Sequence, residues 1–161
     1  MFLEYKTIVP GTGHEEGRAL LRRMYTRYVG GRLPEIAQMP QGKPYFINSP
    51  WHFSISHTKA HVFCALSKSD IGIDAEEADR KIRLDLAEKI LSDTEYRQYA
   101  AAEEQRAALL TFWVLKEAQA KLSGEGMKFH PNHTNFSLDD PRVTRIDNCL
   151  VAVLQEDDHA L

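Results

Sequence analysis

Apolar and polar positions follow two rhythms along this chain. Over residues 15–28 the apolar Leu20, Leu21 and Met24 fall among Arg18, Arg22, Arg23 and Arg27, the spacing of an amphipathic helix. Gly30-Gly31 supplies its stop. Strands are predicted over 51–56 and 61–66, with Thr58-Lys59-Ala60 as the turn between them, and again over 72–74. Residues 84–91 and 94–102 read as helical, the second capped by Ser92 or Asp93. The longest helix is expected over 103–122, ended by Ser123-Gly124-Glu125-Gly126. Residues 135–138, 143–146 and 150–154 read as closing strands. Helices mixed with short antiparallel strands predict an α+β domain.

Composition narrows the class. With 161 residues, 43% of them hydrophobic, one domain with a substantial core is expected. No stretch approaches a transmembrane length, and Met1-Phe2-Leu3-Glu4 lacks the basic-then-apolar pattern of a secretory leader, so a cytoplasmic protein is expected. A net charge of −3 argues against general nucleic-acid binding. Cys64 and Cys149 lie in apolar, strand-like runs and read as buried thiols, which suits a reducing compartment.

The chemistry is concentrated in two stretches. Ile71-Gly72-Ile73-Asp74-Ala75-Glu76-Glu77 reads as a buried strand running out into carboxylates, and the two-residue repeat puts Asp74 and Glu76 on one face. Residues 112–121 read as a helix that makes Glu117 and Lys121 neighbours at i and i+4. Strand-end carboxylates, a helical Glu and a Lys are what a chain needs to hold Mg²⁺ against a phosphate. Each pair alone also has an ordinary reading, as a solvated strand end or a surface ion pair.

Two upstream features add weight: an aromatic strand ending in Ser56-His57, and a Gly42-Lys43-Pro44 turn presenting one cation. A Ser56–His57 hydrolase dyad is rejected, because adjacent strand residues point to opposite faces and no Gly-x-Ser-x-Gly elbow is present. His130 and His133 lack further ligands for zinc and read as loop. Trp113, one turn before Glu117, reads as a core anchor. Arg80, Lys81 and Arg83, followed by Leu84 and Leu86, are either a solvated turn or a seat for an acidic partner helix.

In order, Gly42-Lys43-Pro44, Phe53-x-Ile55-Ser56-His57, Gly72-Ile73-Asp74-x-Glu76 and Trp113-x-x-Lys116-Glu117-Ala118-x-x-Lys121 resemble the signature of the 4′-phosphopantetheinyl transferase superfamily. The likeness runs over about residues 17–153 and is greater to the larger, surfactin-synthetase-activating type than to the small holo-acyl-carrier-protein synthases. It implies a 4′-phosphopantetheinyl transferase-like fold, with two pseudo-twofold-related lobes of short antiparallel strands packed on helices. The lobes would span about 1–68 and 69–161, with the ligand between them.

The activity implied is Mg²⁺-dependent transfer of the phosphopantetheine arm of coenzyme A to a serine of an apo carrier protein, releasing adenosine 3′,5′-bisphosphate. Asp74, Glu76 and Glu117 match the metal-binding positions. Glu117 also matches the proposed base, and Lys121 a pyrophosphate contact. Lys43, Ser56, His57 and Arg18 match positions that hold the nucleotide. The family resemblance also implies a monomer, and the charge and hydropathy above leave nucleic acid and membrane out of the expected partners.

One departure stands out. Before the first helix only Lys6 is basic in residues 1–13, whereas larger members carry a Lys/Arg-rich stretch there. One alternative is therefore a catalytically impaired coenzyme A- or nucleotide-binding module of the same fold; another, a metal-dependent phosphohydrolase, would use the same carboxylates.

Overall fold

Six strands pair into two small antiparallel sheets, because their alternating side chains must be buried on both sides. The computed structural model describes residues 1–126 and 130–156. In one sheet β5 (His61–Ser67) lies between β1 (Phe2–Thr7) and β4 (His52–His57). In the other β8 (Cys149–Gln155) lies between β6 (Ile71–Glu77) and β7 (Val143–Ile146). A hairpin of β2 (Ile36–Gln38) and β3 (Pro44–Phe46) stands apart as a two-stranded sheet. The helices are α1 (Gly13–Tyr28), α2 (Ala87–Ile90), α3 (Asp93–Ala101) and α4 (Gln105–Ser123).

The run Val62-Phe63-Cys64-Ala65-Leu66 is apolar at every position because both its faces are covered. Val62, Cys64 and Leu66 pack with Leu20, Leu21 and Met24 of α1. Phe63 and Ala65 pack with Ile71, Ile73, Ala75, Cys149 and Val151 of the second sheet. On the far side Leu109, Leu110, Val114, Leu115 and Ala118 of α4 share a core with Ala152 and Leu154. Each fully buried aliphatic side chain contributes roughly 1.5–3 kcal/mol of transfer free energy. The layering is therefore helix, sheet, sheet, helix, an α+β architecture.

Two contacts set the geometry where the sheets meet. The Ser54 hydroxyl accepts the Ile73 N–H at 3.0 Å, and the Ser56 hydroxyl accepts the Ala75 N–H at 3.1 Å. Side chains of β4 thus satisfy edge amides of β6 that would otherwise be buried without partners. On its other face β6 presses directly onto α4. A Cβ on Gly72 would sit 2.1 Å from the Ala118 carbonyl oxygen and 2.5 Å from the Leu122 nitrogen. Only glycine permits that approach.

Several expectations are revised. β1 and the β2–β3 hairpin were not foreseen. Residues 135–138 are not a strand: the Phe136 N–H donates to Glu95 at 3.0 Å and the Leu138 N–H to the Gln98 side-chain oxygen at 3.1 Å, so side chains take the place of a ladder. Residues 84–91 form one 3₁₀ turn and the four-residue α2 rather than one helix. Ser92 does cap α3, accepting the Glu95 N–H. Cys64 and Cys149 are buried and unbridged. Of the expected second lobe, residues 127–129 and 157–161 lie outside the described residues. Among the described residues, no helix is long and apolar enough to cross a membrane.

Candidate active site

The two-residue repeat of β6 puts Gly72, Asp74 and Glu76 on the face that meets α4, and the helical repeat aims Glu117 and Lys121 back at them. Asp74 is 6% exposed, and its Oδ1 accepts from Lys121 Nζ at 2.9 Å and from the Ser56 hydroxyl at 3.3 Å. Its Oδ2 is buried and has no hydrogen-bond partner. Burial pushes the Asp74 pKa up, against the opposing pull of Lys121 and Ser56. Glu76 accepts from Trp113 Nε1 at 3.1 Å and is ion-paired to Arg80. Its pKa is also raised, by burial and then by the charge of Asp74. Glu117 is raised for the same two reasons in the same order.

Three carboxylates whose pKa values burial raises, with Asp74 adding to the rise of the other two and itself carrying an orphaned buried oxygen, form an all-oxygen set short of positive charge. That chemistry fits a hard divalent cation. The side chains are not drawn into a cluster: among the described residues no three His, Cys, Asp or Glu groups stand together at ligating distance. Lys121 and Arg80 hold Asp74 and Glu76 instead, as internal counterions.

Glu117 and Lys121 line a cavity of about 980 Å³, together with Arg18, Lys43 and His57 and with the apolar Leu86, Ile90 and Trp113. His57 is exposed, and its ring lies against the start of α1, where a Cβ on Gly13 would come within 2.4 Å of it. Thr12 makes no side-chain cap there, its hydroxyl donating to the Val9 carbonyl instead. The sixteen-residue helix thus begins beside His57 with no side-chain N-cap, and the free amides of a helix start favour an anion. Arg18 lies over the Phe53 ring at 5.8 Å, which steers its guanidinium along the cavity wall.

Of the residues expected to hold a nucleotide, Arg18, His57 and Lys43 line the cavity and Ser56 does not. Ser56 is 5% exposed and bonded to Asp74 and Ala75, so it positions the carboxylate from beneath. Lys43 lines the wall, yet its ammonium donates to Asp70 Oδ1 at 2.5 Å and to the Leu122 carbonyl at 2.7 Å. Trp113, expected in the core, is half-buried and orients Glu76. Arg80, read as part of either a solvated turn or a seat for a partner helix, lies 5.4 Å from the Trp113 ring and holds the same carboxylate.

Residues 70–158 match the family model described as the 4′-phosphopantetheinyl transferase superfamily. The chain belongs to that superfamily. It is 36% identical over 88 residues to the 4′-phosphopantetheinyl transferase gsp of Aneurinibacillus migulanus, covering 53% of this chain and 36% of that protein. It is 37% identical over 91 residues to psf-1 of Bacillus pumilus, covering 55% of this chain and 39% of that protein. It is 37% identical over 89 residues to Sfp of Bacillus subtilis strain 168, covering 53% and 39%. Each match thus spans less than two fifths of the relative's own length. A partial likeness to the holo-[acyl-carrier-protein] synthase of Thermotoga maritima has a TM-score of 0.45 at 23% identity, over 53% of this chain and 61% of that one.

Sequence reasoning missed the second buried charge of the superfamily motif. Lys116, beside Glu117, turns the other way and donates to Glu95 Oε1 at 2.9 Å and to the Thr134 carbonyl at 3.1 Å. Burial pushes its pKa down despite the pairing with Glu95. The pair fastens α3 and the segment after α4 to the helix that carries Glu117. Position gave a signal: at 3.6 residues per turn, consecutive helix residues lie about 100° apart, so Lys116 and Glu117 point in different directions.

Proposed function

We propose that this chain is a Mg²⁺-dependent 4′-phosphopantetheinyl transferase, moving the phosphopantetheine arm of coenzyme A onto a serine of an apo carrier protein. The observation that carries this reading is Glu117 and Lys121 lining the cavity, with buried, partner-short Asp74 held by Lys121, in a chain of this superfamily. The anion-favouring region at His57, Arg18 and the start of α1 would receive the nucleotide phosphates. Asp74, Glu76 and Glu117 would hold the metal, which when bound neutralises charge on the pyrophosphate.

The chain's own residues then have defined tasks. The Glu117 carboxylate takes the proton of the serine hydroxyl, whose oxygen forms the new bond to the phosphorus that carries the pantetheine arm. The bond from that phosphorus to the adenosine bisphosphate breaks, and Lys121 Nζ meets the charge left on the departing phosphate. Burial raises the Glu117 pKa and so makes it a better proton acceptor once it is ionised. Ser56 and Trp113 keep Asp74 and Glu76 in place while this happens.

The test is to mix purified protein, coenzyme A, Mg²⁺ and a panel of apo carrier proteins and record intact carrier mass. One phosphopantetheine arm gained, lost with EDTA and reduced on the order of a hundredfold or more by Glu117→Gln, is the expected result. The internal counterions Lys121 and Arg80 favour a second reading, a binding module that does not turn over. Coenzyme A bound with no carrier modified would select it. Free phosphopantetheine in solution would instead indicate a hydrolase.

A further inference from the structure

We infer that Lys43 and Asp70 form a latch that holds the β2–β3 hairpin as a wall of the cavity, and that Lys43 is a positioning residue rather than a phosphate ligand. The inference rests on the proposed function only for the identity of the ligand. The hairpin has no partner strand in either larger sheet. Its base is fixed by Phe46, which is 5% exposed and packs on Phe53 and Tyr25. Its tip, residues 39–43, is closed by Met39 N–H to the Lys43 carbonyl and Gly42 N–H to the Met39 carbonyl, both 2.8 Å. Gln38, Gln41 and Gly42 of this hairpin face the cavity.

What holds the tip down is the side chain of Lys43. Its stem crosses the end of α4, where a Cβ on Gly124 would meet Lys43 Cδ and Met39 Sδ at 3.2 Å each. Its ammonium, on a side chain 9% exposed, reaches Asp70 Oδ1 at 2.5 Å and the Leu122 carbonyl at 2.7 Å. Asp70 is itself fixed, its Oδ1 also accepting the Ile71 N–H at 3.0 Å, with His52 Nδ1 at 3.7 Å. One cation therefore ties the hairpin to the C-terminal carbonyls of α4 and to the start of β6, the two elements that carry Glu117, Lys121 and Asp74. A carboxylate and a helix C-terminus are the partners an ammonium prefers when half-buried. An incoming phosphate would have to displace both.

The latch and the ligand roles predict opposite signs for one substitution. Asp70→Asn keeps an oxygen for the Ile71 N–H and removes only the charge. If Lys43 is a latch, Asp70→Asn and Lys43→Met both loosen the tip. If Lys43 binds phosphate, Asp70→Asn frees it and tightens binding. Hydrogen exchange at the Met39 and Gly42 amides is measured first on the free protein, with thermal melting to establish that each variant is folded.

Loss of one charge-assisted hydrogen bond predicts an increase of about tenfold in exchange for either variant. The double variant should add little to the worse single one. Binding of coenzyme A and of its 3′-dephospho form is then titrated. Equal weakening of both ligands by both variants supports the latch. Unchanged exchange at the tip overturns it, as does tighter coenzyme A binding by Asp70→Asn with a Lys43→Met defect confined to the 3′-phosphorylated ligand. If the unaltered protein binds neither ligand, the proposed function fails, and the exchange rates still decide the latch.

Discussion

Asp74 is a buried carboxylic acid side chain with one oxygen short of partners. Its raised pKa means the folded state holds the proton more readily than the unfolded chain does. The stabilising contribution is therefore full below the ordinary carboxylate pKa and is lost as pH rises through the raised value. Glu76 and Glu117 act in the same sense. In EDTA, the thermal midpoint is expected to rise as pH falls from neutral toward the ordinary carboxylate range. At neutral pH in EDTA, Asp74→Asn is expected to raise stability by about 1 kcal/mol while abolishing activity, the trade made when a site concentrates charge for function. A midpoint lowered by Asp74→Asn would mean that Lys121 and Ser56 already compensate the carboxylate in full. Asp74 and Glu76 were readable as a pair because their relation lies within one strand. The roles of Ser56, Trp113 and Asp70 were not, because their partners lie 18, 37 and 27 residues away.

At the scale of elements, the decisive contact is β6 against α4. Gly72 carries no side chain at the point where the strand meets the backbone of residues 118–122. Gly72→Ala must push the strand and helix apart, and overpacking of this kind costs roughly 1–3 kcal/mol or more. The same displacement would carry Asp74 away from Lys121, so a loss of carrier modification larger than the loss of folded fraction is expected. A fully active, unshifted Gly72→Ala would show that the approach is not needed. Helix α4 itself was well marked by its periodicity and its glycine stop, and ends at Gly124 with φ of 70°. The hairpin was not, because three-residue strands carry too little alternation to register, although the Gly42-Lys43-Pro44 turn between them was seen.

For the molecule as a whole, the two sheets are joined through β4 and β6 by the hydroxyls of Ser54 and Ser56 and by the apolar layer around Phe63 and Ile73. Replacing both serines with alanine leaves the Ile73 and Ala75 amides buried without acceptors, at about 1–3 kcal/mol each. Chemical denaturation should show a loss of several kcal/mol, with cooperativity reduced if the sheets begin to open separately. A loss below about 1 kcal/mol would assign the junction to apolar packing alone. The cavity is bounded by α1, β4, the hairpin and α4, so its walls come from all parts of the chain.

The sequence by itself determined the α+β class, the longer helices, the buried strands and two pairs of residues, Asp74 with Glu76 and Glu117 with Lys121. Their spacing is dictated by the periods of strand and helix, which are local properties. Only the tertiary structure decided which cation meets which carboxylate. It placed Lys121 on Asp74, Arg80 on Glu76, Lys43 on Asp70 and Lys116 on Glu95. A charge is satisfied by whatever the fold brings within a few ångströms, and no period along the chain records that.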